Sequence, residues 1–106
     1  MNKDLITVNE EIERETKRLR ELEENALPFG EKMVTAEAEY EKALAREMMS
    51  LPSMAANKAE RLARGEVADI KSKWKLAEVV YKANARAQEN SRQILSVLQS
   101  RLKYME

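Results

Sequence analysis

Glu66–Glu106, EVADIKSKWKLAEVVYKANARAQENSRQILSVLQSRLKYME, contains neither Gly nor Pro. With no helix breaker over that length, it predicts a helix from about residue 66 to 105, about 60 Å long at ~1.5 Å per residue. One heptad seam runs through all of it. Its members are Val67, Ile70, Trp74, Ala77, Tyr81 and Asn84, then Gln88, Ser91, Leu95, Leu98, Leu102 and Met105. The steps alternate between three and four residues, the spacing that keeps one helix face toward a neighbour. Both ends of the seam are apolar and its middle, Asn84, Gln88 and Ser91, is polar. Beside it lies a second stripe, Leu76, Val80, Ala83, Ala87, Ile94 and Val97. Two adjacent stripes make a face too broad for one partner helix, so this helix is expected to touch at least two others.

Three further helices are expected upstream. The first runs from about Lys3 to Asn25, with Asn2 or Asp4 able to cap its free backbone N–H groups. Its apolar seam is Leu5, Val8, Ile12, Leu19, Leu22 and Ala26, with Glu15 in place of one apolar member and Thr16 beside it. The remaining faces are almost entirely charged. Leu27-Pro28-Phe29-Gly30 then reads as a turn. Proline disfavours helix at the residue before it, and glycine tolerates positive φ. Leu27 and Phe29 would cap the end of the core. A second helix follows from about Glu31 to Ser50, with Met33, Ala36, Tyr40, Ala43, Leu44, Met48 and Leu51 on one face and Pro52 as its stop. Ser53 can cap a short third helix from about Met54 to Arg64, docked by Met54 and Leu62 and stopped by Gly65. The architecture implied is all-α: an antiparallel helical hairpin packed on a long C-terminal helix, a coiled-coil-like bundle forming a single helical domain over residues 1–106. The first two helices would span about 35 and about 30 Å, so part of the long helix would remain for the short helix or another chain to cover.

Composition removes most chemistry. The chain of 106 residues has no Cys, which excludes disulfides, thiolate metal sites and cysteine nucleophiles. It has no His, the commonest general base and zinc ligand. Glu10, Glu11, Glu13 and Glu15, and Glu37, Glu39 and Glu41, alternate around their helices instead of converging. A carboxylate di-metal bundle needs inward-facing Glu with a Glu-x-x-His pattern. A phosphate-cradling loop needs more glycines than Gly30 and Gly65. The Ser and Thr hydroxyls have no evident base and orienting partner. No catalytic residue, cofactor or metal is therefore expected. The N-terminus lacks the apolar core of a signal peptide, and no apolar run approaches the roughly 20 residues of a membrane span, so a cytoplasmic location is expected.

What remains is binding. Trp74 and Tyr81, one heptad apart, suit either a binding anchor or an ordinary core. Asn84, Gln88 and Ser91 either set the register of a partner helix or lie exposed. With Leu95, Leu98 and Leu102 these form the candidate interface. Charge is unevenly placed. Residues 1–50 carry 8 basic and 13 acidic side chains, a net of −5, and residues 51–106 carry 11 basic and 6 acidic, a net of +5. The acidic and basic halves can pair within one chain or between chains. The long two-striped helix, with no reactive constellation beside it, points to a homo-oligomer. Alternatively, Lys71, Lys75, Lys82, Arg86 and Arg92 form a basic strip for nucleic acid.

Three stretches, Thr35–Ala45 (TAEAEYEKALA), Leu62–Ala83 (LARGEVADIKSKWKLAEVVYKA) and Leu95–Glu106 (LSVLQSRLKYME), carry a family likeness. Together they resemble small helical proteins of phages and prophages of Gram-positive bacteria. The resemblance implies a viral accessory protein in the host cytoplasm, among replication, recombination or anti-defence functions. Read with the residues, it points to a non-enzymatic protein-interaction module. The alternative is a nucleic-acid-binding accessory factor.

Overall fold

Ala, Glu, Lys, Arg and Leu fill most of the chain, and good helix formers at most exposed positions favour helix nearly throughout. The computed structural model describes residues 3–51 and 55–105, and among these there are three helices and no strand. They are α1 (Lys3–Met49), α2 (Ala56–Glu66) and α3 (Ala68–Met105). The all-α bundle expected from the sequence is present, with α3 packed against α1. The expected cap at Asn2, stop at Pro52, cap at Ser53 and docking of Met54 lie outside the described residues.

One element differs. No turn forms at Leu27–Gly30, and the two helices expected at 3–25 and 31–50 are a single helix that runs through Pro28. Leu27 does not cap a core; it is 70% exposed. The reason is that the proline's cost, about 3 kcal/mol, is outweighed by the apolar face that the continuous helix keeps together. A proline inside a helix deletes its own N–H bond and crowds the carbonyl four residues back, here that of Glu24. Pro28 and Glu24 are both exposed, so water can serve the unmatched carbonyl. Meanwhile the apolar phase is unbroken: Leu22, Ala26, Gly30, Met33 step by four, four and three. Each of the four is at least half-buried, and a bend into a hairpin would take this face apart.

The chain divides into two compact units, one of Met1–Leu27 with Lys82–Glu106, the other of Pro28–Tyr81. In the first, the N-terminal half of α1 runs antiparallel to the C-terminal half of α3. Val8 and Leu98 are buried there, with Leu5, Ile12, Leu19, Leu22, Leu95 and Leu102 half-buried. This is a narrow two-helix seam.

In the second unit all three helices meet. Tyr40 and Leu44 of α1, Ala63 of α2 and Val67 form the core, with Ala43, Met48, Ile70 and Trp74 packed around it. The docking face of α2 is not Leu62, which is exposed, but Ala59 and Ala63, both buried. Two alanines four residues apart let the helix approach closely, and a leucine at either place would hold it off. Nor is Gly65 the stop. It stays helical without positive φ, and α2 ends one residue past it, at Glu66. The break is at Val67, with φ −104° and ψ 16°, whose N–H still reaches the Ala63 carbonyl. Burying the Val67 side chain in the core fixes the point where the chain turns from α2 into α3.

Candidate functional site

The seam of α3 is its covered side. In the second unit, Trp74 stacks on Tyr40, with ring centroids 5.3 Å apart and planes 23° from parallel. Tyr40 in turn accepts a hydrogen bond at its Oη from Arg64 Nη1, 3.1 Å away. Arg64 also donates to Glu60 from Nε and Nη2. That bond with Glu60 holds the guanidinium charged and raises its pKa above the ordinary arginine value. One tyrosine therefore ties the three helices of this unit together. Tyr81 lies against α1 at Gly30, where a Cβ would come within 3.4 Å of its ring. A glycine at that position lets the ring sit on the helix backbone. Trp74 and Tyr81 are thus engaged within the chain, although Tyr81 keeps an exposed edge.

In the first unit the polar middle of the seam is neither exposed nor left for a partner chain. Asn84 Nδ2 donates to the Leu22 carbonyl at 3.0 Å, and Gln88 Nε2 donates to Asn84 Oδ1 at 2.6 Å. Ser91 Oγ donates to the Glu15 carbonyl at 3.5 Å. Asn84 and Ser91 are buried. Ser91 therefore reaches the backbone of Glu15, the polar interruption of the first helix's seam, while Glu15 Oε1 is buried with no hydrogen-bond partner among the described residues. Asn84, Gln88 and Ser91 form a polar layer against the α1 backbone. It sets the register of α1 on α3, because any slip leaves buried polar groups unmatched.

This gives a test. Ser91→Leu would make one of the three polar seam positions apolar, yet Ser91 is 1% exposed and has no room for four carbons. The substitution is expected to lower stability by roughly 1 kcal/mol or somewhat more through overpacking. Thermal melting followed by circular dichroism reads this out, and a gain in melting temperature would contradict the tight fit described here.

The second stripe is the bare side. In the second unit Leu76 is 65% exposed and Val80 is exposed beside it; in the first, Ile94 is exposed and Val97 is 60% exposed. Scattered surface apolar residues are ordinary, but a heptad-spaced row of them is not. The residues sequence reasoning marked as interface (Trp74, Tyr81, Asn84, Gln88, Ser91, Leu95, Leu98 and Leu102) lie on the covered side. The free apolar surface lies beside them.

The basic strip is divided between the units. Lys71 and Lys75 belong to one, and Lys82, Arg86 and Arg92 to the other. Lys75 Nζ sits 4.3 Å from the centre of the Trp74 ring and 3.8 Å from Glu78. Arg92 donates to Gln88 and lies 3.9 Å from Glu89. No group of three or more acidic side chains among the described residues could hold a metal ion. No helix among them is long and apolar enough to cross a membrane. No protein-family model, curated protein or solved structure matches this chain.

Proposed function

We propose that the chain is a non-enzymatic helical protein-interaction module whose binding surface is the bare stripe of α3. The observation that carries this reading is the exposure of Leu76 and Val97, heptad members on a helix whose other seam is covered by its own chain. Apolar rows at helical spacing bind helices, because side chains at i, i+3 and i+4 interdigitate with a matching row. The setting we assign is that of the proteins the chain resembles, a phage accessory protein acting in the host cytoplasm.

The end of the stripe near the C-terminus suits self-association. Asn90, Gln93, Ile94, Val97 and Leu98 line a shallow depression there, and none is charged. A symmetric dimer places like beside like, which a neutral patch tolerates and a charged one does not. Sedimentation velocity over roughly 1–100 μM, the range in which a small interface begins to associate, is expected to reveal a species of twice the 12.2 kDa chain mass. Val97→Glu is expected to return it to a monomer. A monomer at every concentration would sink self-association. Nucleic acid is the weaker reading, since Lys75 and Arg92 are already engaged by neighbours on their own helix.

A further inference from the structure

A groove runs between α1 and α3 within the second unit. One wall is Phe29, Lys32, Ala36, Glu39, Ala43 and Arg46, stepping by three and four residues along α1. The other is Ile70, Lys73, Ala77 and Val80, stepping in the same way along α3. Two antiparallel helices that present heptad positions on both sides of one furrow offer the seat that a further helix occupies in a bundle. Alanines at 36, 43 and 77 keep the floor low. α2 does not fill this seat; its buried Ala63 packs with Tyr40, Leu44 and Val67 instead.

Charge says what fits. At the more apolar end, the groove is lined by Phe29, Leu76, Ala77 and Val80, and its only charged members are Lys32 and Lys73. No carboxylate among the described residues lines that end, and Glu31 and Glu39 line the adjoining stretch. Neither lysine makes an ion pair among the described residues. An apolar strip bordered by two unpaired ammonium groups complements a helix with an apolar seam and carboxylates beside it.

A second copy of this chain fits poorly. Symmetric pairing through the groove would set Lys32 and Lys73 near their own counterparts. The chain's acidic segment, the N-terminal half of α1, has its apolar seam occupied, with Val8 buried. A membrane surface also fits poorly, because the apolar residues line a furrow and do not stand out as a ridge.

We infer that the groove of Phe29, Lys32, Lys73, Leu76 and Val80 is a docking site for an acidic amphipathic helix of another protein. This rests on the reading of the chain as an interaction module and adds the partner's chemistry. It uses the part of the stripe in the second unit, Leu76 and Val80, and not the part in the first unit, Ile94 and Val97, assigned to self-association. The bound helix lays two or three apolar side chains, spaced i and i+3 or i+4, over Phe29, Leu76 and Val80. Its carboxylates reach Lys32 and Lys73.

The test uses the full chain and two fluorescein-labelled peptides of about 20 residues. Both carry Leu and Ile at the heptad seam positions; one has Glu at the flanking positions and the other Lys. Fluorescence anisotropy is expected to show low-micromolar binding of the acidic peptide, at least about tenfold tighter than the basic one, weakening several-fold between roughly 50 and 300 mM salt. The double variant Lys32→Glu/Lys73→Glu changes only exposed side chains and is expected to stay helical by circular dichroism. It is expected to lose about tenfold in affinity for the acidic peptide and to gain for the basic one. Val97→Glu, in the first unit and outside the groove, is expected to leave acidic-peptide binding unchanged. Equal binding of both peptides, or insensitivity to the double charge reversal, overturns the proposal. So does loss of peptide binding in Val97→Glu, or displacement of the peptide by vesicles of phosphatidylglycerol. Dimerisation seen in sedimentation alongside any of these results would leave the interaction-module reading standing and remove only the acidic helix.

Discussion

Trp74→Ala is expected to cost about 3–5 kcal/mol, the range for truncating a large aromatic side chain in a core. Trp74 packs on the core cluster in which all three helices meet, face to face with Tyr40 at 5.3 Å. Removing the ring takes away the stacking surface of Tyr40, whose hydroxyl anchors Arg64 of α2. It also removes the support over which the Lys75 ammonium lies. α2 has 11 residues, too short to hold as a helix without its tertiary contacts. The loss is therefore expected to release α2 as well as to lower the melting temperature, by more than about 10 °C for a chain of this size. Circular dichroism melting gives the total. Amide hydrogen exchange at Ala59–Ala63 shows whether α2 is released first. A melting temperature within a degree or two of the parent would mean that the stacked pair holds little of the unit together. Trp74→Phe separates packing from polarity. The indole Nε1 is buried with no acceptor, and such a donor is a standing cost. Phenylalanine removes that donor while keeping a ring for Tyr40, so it is expected to lose much less than alanine.

Pro28→Ala is expected to act in the opposite direction. Proline in a helix interior is about 3 kcal/mol less favourable than alanine, and α1 carries Pro28 in its interior. Alanine would donate the missing N–H to the Glu24 carbonyl and relieve the crowding against it. Part of the gain is offset because proline also stiffens the unfolded chain, a term of about 0.4–1 kcal/mol. A net stabilisation of about 2 kcal/mol remains, which corresponds to a rise of about 10 °C in melting temperature. Urea denaturation with an unchanged slope would confirm that the native state, and not the compactness of the unfolded chain, has changed. If Leu27–Gly30 formed a turn, the same substitution would destabilise, because the proline would then sit where its fixed φ is favourable. The sign of the effect therefore distinguishes a single helix α1 from a hairpin.

The continuity of α1 was legible in the sequence in one respect that proline obscures. Ala26 and Met33 are a full heptad apart, with Gly30 in phase between them. A turn of four residues ordinarily resets the apolar phase, so an unbroken phase across Pro28 is the sign of one helix. Proline and glycine together are strong local punctuation, but in a helix interior proline costs only about 3 kcal/mol and glycine about 1 kcal/mol. A face of apolar residues kept in register on both sides outweighs them.

The docking groove was not legible at all. Phe29 reads as a turn residue that caps a core, and nothing in the sequence singles out Lys32 or Lys73. Their juxtaposition exists only because α1 continues past Pro28 and lies antiparallel to α3 within the second unit. The register layer was half legible. Glu15 and the run of Asn84, Gln88 and Ser91 stand out as interruptions of two seams. That Ser91 meets Glu15 and Asn84 meets Leu22 depends on the antiparallel pairing of segments more than 60 residues apart.

By itself the sequence determined the all-helical class, because helix propensity and 3.6-residue periodicity are local and are satisfied all along the chain. It determined the absence of thiol and imidazole chemistry, because no Cys or His is present. It also determined that α3 carries two apolar stripes, since spacing along one helix translates directly into position around it. Only the tertiary structure decided which stripe is covered. The two are similar in local content, and the choice depends on which one α1 can meet with Tyr40 against Trp74 and with its backbone carbonyls opposite Asn84 and Ser91. The same pairing decided that Pro28 does not end α1 and that Val67, not Gly65, ends α2. In each case a local preference of a few kcal/mol is overruled by burial shared among several side chains, which no single stretch of sequence contains.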